Sequence, residues 1–169
     1  MIVVTGGAGF IGSNLVAGLE EAGYGPVSVV DELGRGDKWK NLRRRELAEL
    51  VPPEDIFDLL ERHHDDVDYV VHMGAVTSTT ETDADLIVQT NYRLPQTLWE
   101  WCAHHEVPFL YASSAATYGD GSAGFDDDGS PEALARLVPL NAYGWSKHAF
   151  DRWVARQVAD GADAPPQWV

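Results

Sequence analysis

Met1-Ile2-Val3-Val4-Thr5-Gly6-Gly7-Ala8-Gly9-Phe10-Ile11-Gly12 opens the chain, and its reading decides the fold. Ile2-Val3-Val4 is a continuous apolar, β-branched run, the pattern of a parallel strand buried on both faces. A glycine-rich turn follows, fitting Gly7-x-Gly9-x-x-Gly12 and equally Gly6-x-x-Gly9-x-x-Gly12. Phe10, Ile11, Leu15 and Leu19 then begin a helical pattern. Glycine lets the chain turn sharply and brings backbone N–H groups against a pyrophosphate with no Cβ between them. The helix behind the turn offers that anion its positive end. A second apolar run, Val27-Ser28-Val29-Val30, ends in Asp31. This acid stands about 20 residues past the last glycine, the spacing of a carboxylate that holds an adenosine ribose. The pattern reads as a dinucleotide site, with Gly6, Gly9 and Gly12 at the phosphates and Asp31 at the ribose.

The chain has 169 residues, 44% of them apolar, enough for one domain with its own core. Its net charge of −15 argues against nucleic acid and against an anionic membrane surface, both of which select clustered cations. Arg43-Arg44-Arg45 is followed by Glu46 and Glu49 and reads as a solvated helix face. Cys102, the one cysteine, lies in an apolar helical pattern and reads as packing. Met1 leads directly into the first strand, and no apolar run approaches the roughly 20 residues of a membrane span. The expectation is a cytoplasmic, soluble protein.

Further along, helices are expected over 10–22, 41–50, 54–64, 83–106 and 141–160, with strands over 27–30, 68–73 and 108–112. Residues 32–40 read as a loop whose Arg35 or Lys38 could meet a 2′-phosphate, the group that separates NADP from NAD. Pro95 should kink or split its helix, because it removes the bond to the carbonyl of Asn91. His72, inside a strand, reads as a core histidine, and no His, Cys or acid stands at metal-ligand spacing, so no metal is assigned. Thr77-Ser78-Thr79-Thr80 follows the third strand and should line the crevice beyond the strand ends, although Thr80 and Thr82 would serve equally as helix caps. Residues 119–131, rich in Gly and Asp, read as loop. Alternating strands and helices imply an α/β fold: a Rossmann-type, doubly wound parallel sheet with helices on both faces.

Tyr143 and Lys147 are four apart on the last expected helix and share a face, and Ser113-Ser114 ends the preceding strand. An ammonium beside a phenol favours the phenolate and makes a usable general base. A serine hydroxyl at the same place can hold the oxygen of an alcohol undergoing oxidation.

These motifs, in this order, resemble the extended short-chain dehydrogenase/reductases. The resemblance rests on Thr5–Gly12, Asp31, Ser113-Ser114-Ala115-Ala116-Thr117-Tyr118-Gly119 and Tyr143-x-x-x-Lys147. Within that group, Gly74-Ala75-Val76-Thr77-Ser78-Thr79-Thr80-Glu81 and Pro139-Leu140-Asn141-Ala142-Tyr143-Gly144-Trp145-Ser146-Lys147 are most similar to the epimerases of ADP-heptose sugar nucleotides. The resemblance implies a tightly held NADP, with NAD possible, and a homo-oligomeric full-length enzyme. It places Phe10 and Ile11 against the cofactor, with Asp31, Glu32 and Lys38 at its adenosine end. Gly74, Ala75, Val76, Thr77, Ser78 and Asn91 flank the nicotinamide half. It makes Tyr143 the base, Lys147 its partner and Ser114 the holder of the substrate oxygen. Two departures stand out: Pro53 occupies a position where the family has a basic residue, and the family continues past Val169 into another strand and a sugar-nucleotide domain that supplies a second base. The chain alone is therefore expected to bind NADP weakly or not at all and not to epimerise. The competing expectations are another NAD(P)-dependent sugar-nucleotide epimerase or dehydratase, or a non-catalytic NAD(P)-binding module. Ala115 and Ala116, where a dehydratase should carry an acid beside the serine, disfavour the dehydratase.

Overall fold

The computed structural model describes residues 1–168, with six strands in one parallel sheet of order β3-β2-β1-β4-β5-β6. These are β1 (Ile2–Thr5), β2 (Val27–Val30), β3 (Leu47–Val51), β4 (Tyr69–His72), β5 (Phe109–Tyr111) and β6 (Gln167–Trp168). The described residues form two compact units. The first comprises residues 1–74, 105–111 and 166–168 and holds the sheet.

In that unit β1 pairs with β2 on one side and β4 on the other, in registers such as Val4 with Val29 and Val4 with Val71. Enclosed between neighbours, Ile2, Val3 and Val4 are fully buried, which is why the run is apolar without alternation. The strand order reverses at β1, so the first turn of the chain emerges where a doubly wound sheet opens at its strand ends. Helix α1 (Phe10–Glu21) packs Val16 against Val4, Val27 and Val29. Each such apolar side chain contributes about 1.5–3 kcal/mol when withdrawn from water. Gly23, at φ +84°, ends that helix as its sequence signals.

The expected helix over 41–50 is corrected: Leu47–Val51 is β3, and it pairs with β2. Its half-buried and exposed residues alternate, as on an edge strand, and the pairing overrides the helical preference of Leu, Ala and Glu. Arg43-Arg44-Arg45 accordingly lies in a turn and not on a helix, and Arg45 pairs with Glu20 of α1 at 2.8 Å. Helix α2 (Ile56–Arg62) is shorter than its expected span, with a single 3₁₀ turn at Pro53–Asp55 ahead of it. The short β6 already pairs with β5; the further strand expected after Val169 lies outside the described residues.

The second unit, residues 75–104 and 112–165, is helical: α3 (Ala84–Val88), α4 (Leu94–His104), α5 (Pro131–Leu134) and α6 (Ala142–Ala159). The break expected at Pro95 takes another form. Between α3 and α4 the helix continues through one wide π turn, Gln89–Arg93, and Pro95 itself is buried on α4. A wide turn re-registers the backbone bonds around a proline that cannot donate one. The cap of α3 is Asp83, which accepts from the Leu86 N–H at 3.0 Å, and not Thr80 or Thr82. Within the expected 119–131 loop, Ser130 and Pro131 start the short α5, Ser130 capping the Ala133 N–H at 3.2 Å.

The turn after β1 requires glycine at two places. Gly6 has φ +65°, and a Cβ there would lie 2.6 Å from the Gly74 nitrogen. A Cβ on Gly12 would lie 2.2 Å from the Gly6 carbonyl oxygen. Gly18, on the same helix, has open space around it. Gly12→Ala should therefore lower stability by about 1–3 kcal/mol, the usual cost of overpacking. Gly18→Ala should raise it by up to about 1 kcal/mol through helix propensity alone. Urea unfolding of the two variants beside the parent checks the pair; equal effects would show that the turn is not the constraint.

Candidate functional site

In the first unit, Gly9 is the N-cap of α1, extended at ψ 176°, and no side chain caps the amides behind it. No acid stands in that first turn. Phe10 is 84% exposed and Ile11 63% exposed, so large apolar side chains project beside uncapped N–H groups. Gly6 and Gly12 leave no Cβ in the way, an arrangement that can receive an anion. Gly74 joins it from the end of β4, its N–H donating to Thr5 Oγ1 at 3.0 Å. The same hydroxyl meets His72 Nδ1 at 2.7 Å, and His72 is buried in a stack with Phe109, as a core histidine should be.

Asp31 sits at the end of β2 with both carboxylate oxygens engaged. Oδ2 accepts from the Ala8 N–H at 2.8 Å and Oδ1 from Lys38 Nζ at 2.5 Å. Lys38 also donates to the Glu32 carbonyl at 2.9 Å. The Lys38 side chain is 38% exposed and the Asp31 side chain 8% exposed. The acid is thus locked to the glycine turn and charge-compensated. Asn41, which sequence reasoning did not single out, donates to the Ala8 carbonyl at 2.8 Å and braces the turn from the same side.

In the second unit, Asn141 starts α6 by accepting from the Gly144 N–H at 2.7 Å. Tyr143 falls in the first turn of α6 and is half-buried, and Lys147 lies one turn on. A Cβ on Gly144 would lie 2.6 Å from the Ala116 carbonyl oxygen, so α6 sits directly on the 3₁₀ turn Ala115–Tyr118. Ser114 caps that turn, its Oγ accepting from the Ala116 N–H at 3.2 Å. Lys147 is 6% exposed, and its Nζ donates to the Ala112 carbonyl at 2.9 Å. Burial pulls this lysine down to about 8, against which the Asp151 carboxylate acts. Ser113 Oγ donates to Asp151 Oδ2 at 2.5 Å.

Asn91, expected at the nicotinamide half, lies in the wide turn and is 1% exposed. Its amide accepts from the Val76 N–H at 2.8 Å and donates to the Val76 carbonyl at 2.9 Å and to Ser146 Oγ at 3.1 Å. It therefore fixes the segment containing Ala75 and Val76 to α6. Thr77 and Ser78 follow on exposed coil. Thus Tyr143, Lys147, Ser114 and Asn91 share one unit, while Gly6, Gly9, Phe10, Ile11, Gly12, Asp31, Glu32, Lys38 and Gly74 share the other. Sequence reading missed Asp151, although it continues the four-residue spacing of Tyr143 and Lys147. Among the described residues no group of three or more metal-ligating side chains occurs, and no helix is long and apolar enough to cross a membrane.

The model of the NAD dependent epimerase/dehydratase family matches residues 2–164. An ADP-L-glycero-D-manno-heptose-6-epimerase from Fusobacterium nucleatum subsp. nucleatum is 45% identical over 99% of this chain and 50% of its own length. The crystal structure of the Helicobacter pylori protein of that name superposes with TM-score 0.76 at 32% identity, over 92% of this chain and 50% of that one. A UDP-glucuronic acid 4-epimerase from Bacillus cereus, solved in complex with NAD, gives TM-score 0.77 at 27% identity, over 98% and 53%. The chain spans about half the length of the relatives it matches.

The buried lysine has a thermodynamic consequence. Its proton affinity is lower folded than unfolded, so between about 8 and the model-compound 10.5 the unfolded chain binds more protons. Stability must rise with pH across that window, by on the order of 3 kcal/mol for a shift of this size. His148 adds a smaller rise lower down: burial and the Arg152 cation depress it below 6.5, so stability falls as acid protonates the unfolded chain first. Urea midpoints measured from pH 7 to pH 10.5 should climb for the parent and flatten for Lys147→Met; parallel curves would refute the assignment.

Proposed function

The chain belongs to the NAD dependent epimerase/dehydratase family, and from that premise we propose that it carries the cofactor site and the first acid–base group of a sugar-nucleotide epimerase. The reaction proposed is the interconversion of ADP-D-glycero-D-manno-heptose and ADP-L-glycero-D-manno-heptose through a keto sugar, a step toward the heptose of the lipopolysaccharide core. The relatives' names and the 45% identity support that substrate. The proposed cofactor is NADP, which when bound takes a hydride from the substrate and returns it.

The residues fit such a cofactor. The Cβ-free turn at Gly6, Gly9 and Gly12 and the uncapped start of α1 suit its diphosphate. Phe10 and Ile11 suit its apolar contacts. Asp31 and Glu32 mark the adenosine end. Lys38 neutralises Asp31 on a partly exposed side chain, and a cation at this place favours a 2′-phosphate over a free hydroxyl. Ala75 to Ser78, held through Asn91, suit the nicotinamide end.

Tyr143 would take the proton of the sugar hydroxyl as the alcohol is oxidised. Ser114 would hold the oxygen and Lys147 would stabilise the phenolate. The observation that carries this reading is the placement of Lys147. It is a buried ammonium tied to the carbonyl beside Ser113-Ser114, one helical turn from Tyr143. A solvated surface lysine would be indifferent to that position.

Because the chain alone is expected to bind NADP weakly or not at all, tryptophan fluorescence titration of the chimaera described below tests the cofactor. NADP should bind more tightly than NAD, and Lys38→Ala should weaken NADP binding by about tenfold, the loss of about 1.4 kcal/mol, while sparing NAD. Equal loss for both would remove NADP from the reading. The chemistry is tested in a chimaera that appends the second half of the Fusobacterium nucleatum relative. Tyr143→Phe there should reduce ADP-heptose turnover by about 10²–10⁴-fold. Turnover unaffected by the change would end the proposed role.

A further inference from the structure

Tyr143, Lys147 and Asp151 succeed one another at four-residue intervals on α6 and so form one stripe: hydroxyl, ammonium, carboxylate. The stripe is fastened to two consecutive residues of the segment after β5. Lys147 donates to the carbonyl of Ala112, and Asp151 accepts from the hydroxyl of Ser113 at 2.5 Å. Ser114 is next in the chain. Its backbone cannot shift along α6 without breaking one of these two ties.

The lysine also needs a counter-charge. A buried ammonium tied to a neutral carbonyl is costly, and deprotonation is the usual relief. The titratable groups on the elements packed against α6 are Asp85 on α3, Tyr92 and Arg93 in the wide turn, Glu100, Cys102 and His104 on α4, Tyr118 after β5, and Glu132 on α5. On α6 itself stand Tyr143, His148, Asp151, Arg152 and Arg156. Of all these, the charge that opposes the desolvation of Lys147 is Asp151.

We propose that Asp151 is a positioning residue with two separable tasks: it supplies the counter-charge that keeps Lys147 an ammonium, and through Ser113 it anchors the strand end that carries Ser114. The inference rests on the reading of Tyr143, Lys147 and Ser114 given above. Two variants divide the tasks. Asp151→Asn removes the charge but leaves an oxygen for Ser113, whereas Ser113→Ala removes the tie but leaves the charge.

Both are read on this chain by NMR of ¹³C-labelled lysine side chains, with Lys147→Arg identifying the resonance. Asp151→Asn should lower the Lys147 titration midpoint by about one unit, the small end of what a neighbouring charge does. Ser113→Ala should leave the midpoint in place while speeding amide exchange over residues 113–116. An unmoved midpoint in Asp151→Asn overturns the proposal. So does an equal fall in both variants, which would mean that loosening alone, not charge, sets the lysine. If Asp151→Asn is too unstable to titrate, a double variant answers instead. Adding Lys147→Met should restore stability to Asp151→Asn, because no buried ammonium is left uncompensated; no restoration overturns the proposal. The ammonium is observed directly, so these results are independent of turnover. A failure of the epimerase reading appears in the chimaera and the cofactor titration instead.

Discussion

The structure depends on how closely α1 approaches the end of β1. A methyl group on Gly12 would overlap the Gly6 carbonyl oxygen at 2.2 Å, and one on Gly6 would overlap Gly74. Only a backbone without side chains permits this approach, and it has two effects at once. It seats Val16 on the sheet, and it leaves the first amides of α1 facing outward beyond a turn with nothing in front of them. Packing and anion affinity therefore come from one constraint. Asp31 extends it: by accepting from the Ala8 N–H, it ties the end of β2 to the turn. A bare helix terminus is a weak site, but one braced by Asp31 and Asn41 has little to reorganise when a ligand arrives.

The second unit solves a different problem, holding a cation in a dry place. Four devices contribute. Gly144 lets α6 press on the Ala115–Tyr118 turn, Lys147 takes the Ala112 carbonyl, Asp151 supplies the opposing charge, and Asn91 locks Val76 and Ser146. A lysine depressed to about 8 is still mostly protonated at neutral pH, yet it is easily perturbed by its surroundings. That is the condition under which a neighbouring carboxylate has leverage, since small electrostatic changes alter the charge state and not merely its energy.

How much of this could be read from the sequence follows from where the signals are local. β1, the glycine turn, α1, β2 and Asp31 were legible because strand burial, turn chemistry and helix onset all lie within 31 consecutive residues and agree. α6 was legible for the same reason. β3 was not: Leu47-Ala48-Glu49-Leu50-Val51 is made largely of helix formers, and its strand character comes from pairing with β2 and from Glu20, which takes the Glu46 N–H at 2.6 Å. The wide turn before Pro95 was half-legible, since proline announces a disturbance but not its form. α5 carries a readable start, Ser130-Pro131, masked by the acidic, glycine-rich residues before it. Among the proposed site residues, spacing pointed to Tyr143 and Lys147, but Asp151 takes its meaning from Ser113, 38 residues away, which no local pattern reports.

The proposed anionic cofactor stands against a net charge of −15, and the resolution is one of range. Beyond roughly 8 Å at physiological salt, charges are screened from one another, so the total matters less than the few groups at the site. Those groups are arranged against the overall sign. No acid stands in the first turn of α1, and Asp31 is neutralised by Lys38. Elsewhere three basic side chains are held in place by acids, Arg45 by Glu20, Arg62 by Glu49 and Lys40 by Asp37. An acidic run such as Asp126-Asp127-Asp128 belongs to the other compact unit. Recognition of an anion here requires local compensation and free backbone donors, not a basic protein, and both are built into the first forty residues.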